Sequence, residues 1–219
     1  MDIFLRLGYP QEQCLKEVRH LASRLKKAQL AVNENNMQFL LNSLAGSPEN
    51  LPPAPPPNPC LRFPGLRTKP RRILMQVSSA MARGKTLAAL DALCHAVHSL
   101  LRYQPGATGI YTTAEEALAG GRGVCQDYAH VFIALARLAG WHARYCMGLT
   151  VGEGATHAWA EIYYRGAWHG FDPTRDCRTD ASYLRFATGR DAADCPVEQG
   201  TFYGLADQTQ TVFMRVKEI

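Results

Sequence analysis

The sequence predicts an α+β fold in which a run of helices is followed by an antiparallel sheet. Between residues 86 and 139, apolar side chains recur at spacings of three and four, as on the buried face of a helix. After Gly140 the pattern changes to aromatic and β-branched residues with partial alternation, which is typical of strands. Helices first and strands second is the pattern of an α+β domain. A chain of 219 residues is long enough for one such domain with an appendage.

The chain is predicted to divide into a helical extension (residues 1–45), a proline-rich linker (46–70) and a main domain (71–219). Apolar residues within 11–45 fall on one helical stripe. Prolines crowd the segment 46–65, which excludes a helix there and favours an extended polyproline II connector. We expect the helical extension to pack on the domain, with partner binding or self-association as the alternative.

Three helices are predicted in the first half of the main domain. The first covers residues 86–102 and has one apolar face. Thr113 and Glu116 form a capping-box pattern that opens a short second helix over 114–118. The third helix covers 125–139. It is apolar on nearly every face, so we expect it in the core.

Consecutive antiparallel strands are predicted after the third helix. They cover residues 141–150, 157–164 and 167–171, with a further strand within the tail 210–216. Arg165 and Gly166 provide the short connection of a hairpin between the second and third of these strands.

Composition excludes several classes of function. The net charge of +5 is modest and the basic residues are scattered, which argues against nucleic-acid binding. No apolar run is long enough to span a membrane, and the N-terminus does not resemble a secretory signal. The seven cysteines are odd in number and form no C-x-x-C pair, so neither a structural zinc site nor a full disulfide framework is expected. These features predict a cytoplasmic protein that binds no metal or cofactor.

Cys125 stands out in the stretch GGRGVCQDYAH, where a glycine-rich loop turns into the third helix. A cysteine at the first turn of a helix is close to unpaired backbone N–H groups and to the positive end of the helix dipole. Both favour the thiolate, which is the nucleophilic form of cysteine. The same N–H groups can stabilise an oxyanion that forms on an attacked carbonyl. Cys125 is therefore a candidate nucleophile, although a buried structural cysteine is the simpler interpretation of this stretch alone.

His157 and Asp172 are the candidate partners of that thiol. His157 begins one predicted strand and Asp172 follows the next, in the stretch GFDPT. If these strands pair around Arg165 and Gly166, the two side chains lie nearly opposite each other at one end of the hairpin. A histidine can then exchange a proton with the thiol while the carboxylate orients its ring.

Other polar and aromatic residues are given simpler roles. His130, His142 and His169 are rival bases, but His130 lies about 140° around the helix from Cys125, and the other two lack a carboxylate in hairpin register. Trp159 is expected in the core, with a place on the wall of the acyl site as the alternative. Glu161 is expected at the surface or tethering a loop.

With these residues, the chain resembles the transglutaminase-like superfamily, and most of all its bacterial transglutaminase-like cysteine peptidase branch. The resemblance rests on GVCQDYAHVFIALARLAGWHARYCMG, HAWAEIYYRGAWHGFDPT and GRDAADCPVEQGTFYG, from about residue 103 to the C-terminus. It implies a papain-like fold with the nucleophile helix packed on an antiparallel sheet. It also implies that Cys125 is the nucleophile, His157 the general base and acid, and Asp172 the orienting carboxylate. The backbone N–H of Cys125 would be one oxyanion donor; a second donor is not assigned.

The predicted function is that of a thiol enzyme which attacks an amide or related carbonyl of a protein or peptide substrate through an acyl-enzyme. Hydrolysis by water is the favoured outcome, as in a cysteine peptidase or amidase. Two alternatives stay open at this point: transglutaminase-type acyl transfer to an amine, and a non-catalytic binding scaffold with the same fold.

Overall fold

The computed structural model describes residues 56–80, 84–154, 156–196, 204 and 214–216. The predicted helical extension and the first part of the predicted linker lie outside these ranges. Of the predicted tail strand only Met214–Val216 is described, and it is a strand. The division of the chain into extension, linker and domain therefore stays a prediction.

Four α-helices occur in the described ranges. They are α1 (Arg72–Ala80), α2 (Leu87–Leu100), α3 (Ala114–Gly120) and α4 (Cys125–Leu138). The last three confirm the predicted helices, and the predicted capping box of Thr113 and Glu116 is present. None of the helices in these ranges is long and apolar enough to cross a membrane.

Helix α1 was not predicted, because its N-terminus is capped from a distance. The Glu115 carboxylate of α3 accepts hydrogen bonds from the backbone N–H groups of Arg71, Ile73 and Leu74, at 3.2, 2.5 and 3.1 Å. These N–H groups belong to the first turn, where a helix has no acceptors of its own. A cap contributed by a residue more than forty positions away leaves no local pattern in the sequence.

The main sheet has five antiparallel strands in the order β7-β6-β5-β3-β8. Its strands are β3 (Ala143–Thr150), β5 (His157–Tyr164), β6 (Ala167–Asp172), β7 (Cys177–Arg178) and β8 (Tyr183–Gly189). Two small sheets accompany it. One pairs β1 (Arg102–Tyr103) with β2 (Arg122–Gly123), and the other pairs β4 (Gly152–Gly154) with β9 (Met214–Val216).

The hairpin of β5 and β6 has the predicted register. Ala160 pairs with Phe171 and Tyr164 with Ala167, around a turn at Arg165 and Gly166. Both turn residues have positive φ, 50° and 84°, as a tight two-residue hairpin turn requires. This register brings the start of β5 and the end of β6 to the same end of the sheet.

Helix α4 is the centre of the core, as predicted. Eleven of its fourteen residues are buried, and it packs on β3 and β5. Phe132 stacks on Phe171 of β6 with ring centroids 5.5 Å apart. A helix buried on nearly all sides is held in a fixed position relative to the sheet, so its N-terminus is fixed too.

The second half of the predicted linker is packed on the domain, whereas the sequence predicted an extended connector. Residues Pro59–Arg62 form a 3₁₀ helix whose cap is the Asn58 side chain. Buried Arg137 of α4 donates to the carbonyl of Leu61 and to the hydroxyl of Thr68, both at 2.9 Å. The prolines restrict the backbone but do not prevent a short 3₁₀ turn, because proline suits the first position of a helix.

Candidate active site

Cys125 is the first residue of α4, at the loop-to-helix junction that the sequence indicated, and it is half-buried. Asp127 holds this junction: its Oδ2 accepts from the Val124 N–H at 2.8 Å and from the Thr108 hydroxyl at 2.6 Å. Gly123 lies against the same side chain, and a Cβ atom there would be 2.6 Å from Asp127. The glycine before the thiol therefore permits close contact between the loop and the helix.

His157 and Asp172 are in direct contact. Nε2 of His157 lies 2.6 Å from Oδ2 of Asp172, and the thiol of Cys125 is a second hydrogen-bond partner of the ring. Because Nε2 is occupied by the carboxylate, Nδ1 is the nitrogen left for the thiol. Burial alone would lower the pKa of His157, but the hydrogen bonds to Asp172 and Cys125, together with their charges, raise it to about 9. The structure thus brings together all three predicted site residues.

Asp172 is fully buried, and both of its oxygens are hydrogen-bonded. Oδ1 accepts from the backbone N–H groups of Thr174 and Arg175, at 2.9 and 3.3 Å. Oδ2 accepts from His157 and from the Tyr183 hydroxyl, the latter at 2.8 Å. Burial raises the pKa of this carboxyl, yet the contacts with His157 and Tyr183 outweigh burial and keep its pKa below the usual range. Asp172 is therefore a carboxylate that faces an imidazolium.

Residues 76–173, which contain Cys125, His157 and Asp172, match the family model of the transglutaminase-like superfamily. This part of the chain is therefore similar to the transglutaminase-like superfamily. A solved structure of a candidate cysteine protease from Cytophaga hutchinsonii is also similar, with a TM-score of 0.55 and 28% identity. The match covers 63% of this chain and 48% of that one. These comparisons confirm the predicted fold class, and this transglutaminase-like fold supports a thiol enzyme in general terms.

Two curated relatives each match about half of the chain. An uncharacterised protein of Mycobacterium leprae is 36% identical over 116 residues, which are 48% of this chain and 41% of the relative. An uncharacterised protein of Mycobacterium tuberculosis is 35% identical over 127 residues, which are 51% of this chain and 40% of the relative. The chain therefore spans about two fifths of the length of these relatives.

Two aromatic side chains support the histidine of this transglutaminase-like site. Trp159 stacks on His157 with ring centroids 6.4 Å apart and an interplanar angle of 23°. Tyr183 meets the edge of Trp159 at 5.3 Å and lies 6.1 Å from His157. Trp159 is only 1% exposed, so it supports the ring from inside the protein and is not a wall of the cleft. Sequence analysis missed Tyr183, because it belongs to β8, a strand that was not predicted.

Helix α2 holds the loop that follows Asp172, here called the carboxylate loop (residues 173–178). Asp91 forms two hydrogen bonds with the Arg178 guanidinium at 2.7 and 2.6 Å. His95 contacts Asp176 at 2.6 Å. Nδ1 of His98 lies 3.1 Å from the carbonyl oxygen of Pro173. These helix residues are spaced by three and four, so a single face of α2 holds the backbone beside Asp172.

The rival histidines have structural surroundings. His130 is fully buried, and its Nε2 accepts from the Ala192 N–H at 3.1 Å. Burial and two nearby guanidinium groups lower the pKa of His130 to about 3, so it is neutral. His169 lies 3.3 Å from the Tyr164 carbonyl. For His142, burial and the nearby Arg62 and Lys85 lower the pKa.

Glu161 is not at the surface, and the expectation for this residue was wrong. It is buried between Arg144 and Arg185, which donate to it at 2.7 Å each. Burial opposes ionisation, but the two guanidinium groups lower the pKa of Glu161 to about 2. The error arose because alternation along a strand predicts on which face of the sheet a side chain lies, but not whether other residues bury that face.

Metal binding was not predicted for this chain. Among the described residues, no group of three or more His, Cys, Asp and Glu side chains is arranged to hold a metal ion.

Proposed function

We propose that the chain is a thiol enzyme that hydrolyses an amide or related carbonyl through an acyl-enzyme on Cys125. The observation that carries this proposal is the chain of contacts from Cys125 to His157 to Asp172, which begins at the N-terminus of a buried helix. Each of these residues is of the type and in the position that acyl transfer by a thiol requires.

In the first half-reaction, the Cys125 thiolate attacks the carbonyl carbon and the electron pair moves to the carbonyl oxygen. This oxyanion would be stabilised by backbone N–H groups at the start of α4, among them that of Cys125, since the first turn of a helix has no internal acceptors for them. The His157 imidazolium then gives its proton to the leaving group as the bond to the carbonyl carbon breaks. A thioester remains on Cys125.

In the second half-reaction, neutral His157 accepts a proton from water as the water oxygen attacks the thioester carbonyl. The acid product leaves, and the proton on His157 restores the original pair with the Cys125 thiolate. Asp172 holds the ring and stabilises its charged form throughout, because the carboxylate is buried and anchored on both oxygens.

Hydrolysis of a protein or peptide is the favoured form of this reaction. The similar protein from Cytophaga hutchinsonii is named as a candidate cysteine protease, at 28% identity. Attack of the thioester by a primary amine in place of water would be transglutaminase-type transfer, which uses the same first half-reaction. We place the activity in a reducing compartment such as the cytoplasm, since Cys125 must stay a free thiol and the six cysteines in the described ranges are all free.

Trapping of the acyl-enzyme tests the proposal. The full chain is mixed with p-nitrophenyl acetate at neutral pH, and peptide mapping locates the acetyl group. We expect one acetyl group on Cys125, no such adduct in Cys125→Ala, and its slow formation in His157→Ala. Cys60→Ser is the matched control, because Cys60 is an exposed thiol in the described ranges. Acetate as the final product supports hydrolysis, whereas an acetylated amine after addition of butylamine identifies transfer. Absence of an adduct on Cys125, together with p-nitrophenol release that is the same in Cys125→Ala, would overturn the proposal.

A further inference from the structure

Three exposed apolar side chains lie in one loop. Of the eight large hydrophobic side chains that are exposed in the described ranges, Tyr103, Ile110 and Tyr111 lie within nine residues of each other. Among these three, Ile110 and Tyr111 are the most exposed, at 70% and 72%. We call residues 103–112 the approach loop. Single exposed apolar residues are common, but a group of them in one short segment marks a site of interaction.

The approach loop is attached to the residues on either side of Cys125. The Gln104 N–H donates to the carbonyl of Gly123 at 2.9 Å. The Thr108 hydroxyl donates to Asp127 at 2.6 Å, and Nε2 of Gln126 lies 3.4 Å from the carbonyl oxygen of Gly109. Because these contacts involve residues 123, 126 and 127, the apolar end of the loop is held beside the N-terminus of α4.

A cavity lies against the same loop. Its volume is about 400 Å³, and its lining includes Ala107 and Tyr111 from the loop, Glu116 from α3, and Arg122 from β2. The Arg67 guanidinium stacks over the Tyr111 ring at 5.0 Å, which holds that ring in place. Glu116 and Arg122 carry opposite charges, so the cavity has no net charge from these two residues.

The sheet side of the proposed cleft also has an exposed apolar residue. Val151 directly follows β3 and is 42% exposed. Gly148, three residues earlier on β3, pairs with His157. Exposed apolar side chains therefore lie near both the helix that carries Cys125 and the strand that carries His157.

We infer that the approach loop, together with Val151, binds apolar side chains of an extended polypeptide on either side of the carbonyl that Cys125 attacks. This inference rests on the proposed function and names the class of its substrate: a protein or peptide segment rich in apolar residues. Ile110 and Tyr111 are its specificity-determining residues. They act on binding and not on the chemistry, since neither contributes to the contacts of His157 or Asp172.

Active-site alkylation with matched peptides tests the inference on the full chain. Two tetrapeptides carry the same chloroacetyl group, one with leucine and phenylalanine side chains and one with aspartate and serine. In each, the Cys125 thiolate displaces chloride and forms a thioether. We expect the apolar peptide to label Cys125 at least tenfold faster than the acidic one, since one buried apolar side chain accounts for about a tenfold difference in affinity. Iodoacetamide, which has no side chains to recognise, measures the reactivity of the thiol itself.

Two loop variants and two controls complete the test. Ile110→Ser and Tyr111→Ser should each lower the rate with the apolar peptide by about tenfold and leave the iodoacetamide rate unchanged. Phe63→Ser and Met75→Ser remove exposed apolar side chains that are not attached to the Cys125 junction, and they should change neither rate. If iodoacetamide labels Cys125 selectively but both peptides react equally, or if the acidic one reacts faster, the inference is wrong and the proposed function stands. If iodoacetamide shows no preference for Cys125, the proposed function itself fails.

Discussion

The Tyr183 hydroxyl donates a hydrogen bond to Oδ2 of Asp172, the same oxygen that contacts His157. The phenol is 2.8 Å and the imidazole 2.6 Å from this atom. Burial and the neighbouring Asp172 charge raise the pKa of Tyr183, so its hydroxyl keeps its proton and remains a donor. Two donors therefore share one carboxylate oxygen, and Tyr183 influences how strongly Asp172 holds a charged His157.

Tyr183→Phe should raise the pKa of His157 above about 9. The phenol draws part of the carboxylate charge to itself, and its removal leaves more of that charge to the imidazolium, although Arg175 also lies 3.8 Å from the same oxygen. The variant should also lose about 1–2 kcal/mol of stability, because a hydrogen bond to a charged group is lost. NMR titration of His157 measures the first effect and urea unfolding the second. Tyr163→Phe is the control, and equal His157 pKa values in the wild type and Tyr183→Phe would refute this role of Tyr183.

Loosening the carboxylate loop should weaken the pair of His157 and Asp172. The contacts of Asp91 and His95 are largely exposed, so each contributes at most about 1 kcal/mol. The triple variant Asp91→Asn/His95→Gln/His98→Gln should nonetheless speed hydrogen exchange in residues 173–178 and lower kcat with little change in KM. The double variant Arg190→Gln/Asp194→Asn removes a similar exposed pair elsewhere and is the control. Unchanged exchange in the carboxylate loop would show that α2 does not hold it.

Much of the candidate site could be predicted because its parts are local in sequence. Cys125 is at a loop-to-helix junction that glycines and an apolar run indicate, and the hairpin register follows from a two-residue turn. The supporting contacts could not be predicted, since they join residues far apart in the chain. Tyr183 is at the start of β8, which pairs with β3. In the sheet, β3 and β5 separate this strand from β6, which carries Asp172.

Packing contacts elsewhere in the domain could not be predicted from the sequence either. Glu115 caps α1 from α3, and Arg137 holds residues 61–68 from within the core. Neither contact has a signature in the local pattern of the sequence. Proline content was misleading for Pro59–Arg62, because it describes the backbone freedom of a segment and not what the segment packs on.

Glu161→Gln should destabilise the protein by about 3–5 kcal/mol, because it leaves the Arg144 and Arg185 charges buried without a counter-ion. The pKa of Glu161 is lowered to about 2, so its contribution is present above the pKa of an unfolded glutamate, about 4.3, and is lost as the pH falls towards 2. Urea unfolding at several pH values should therefore show that the wild type and Glu161→Gln converge in stability in acid. The exposed Asp180→Asn is the control, and a constant difference between wild type and Glu161→Gln down to pH 3 would contradict this account.

His157→Gln should lose more stability at pH 6 than at pH 9.5. The folded pKa of His157, about 9, is above the unfolded value of about 6.5. Protonated His157 therefore stabilises the fold fully below pH 6.5, and this contribution disappears as the pH rises through 9. It is on the order of 3 kcal/mol at most. Urea unfolding of both proteins across this range measures it, and a difference that grows with pH would have the wrong sign.

In the pH profile of kcat/KM for hydrolysis, the alkaline limb should lie near pH 9. Above this pH His157 loses the proton that the leaving group needs. In Asp172→Asn the limb should move to lower pH, because the carboxylate that favours the imidazolium is gone. A limb at the same pH in both proteins would show that the group that titrates there is not His157.

The central claim is that Cys125 and His157 form a thiolate–imidazolium pair, and the pH profile of Cys125 alkylation by iodoacetamide tests it most directly. Labelling is located by peptide mapping. Burial raises the pKa of Cys94 and Cys195 to about 12, so these thiols contribute little background, and exposed Cys60 and Cys177 serve as internal references. We expect Cys125 to be labelled selectively well below pH 8, and this selectivity to disappear in His157→Ala. Labelling of Cys125 that begins only above pH 8.5, as for an ordinary thiol, and that is the same in His157→Ala would contradict the account.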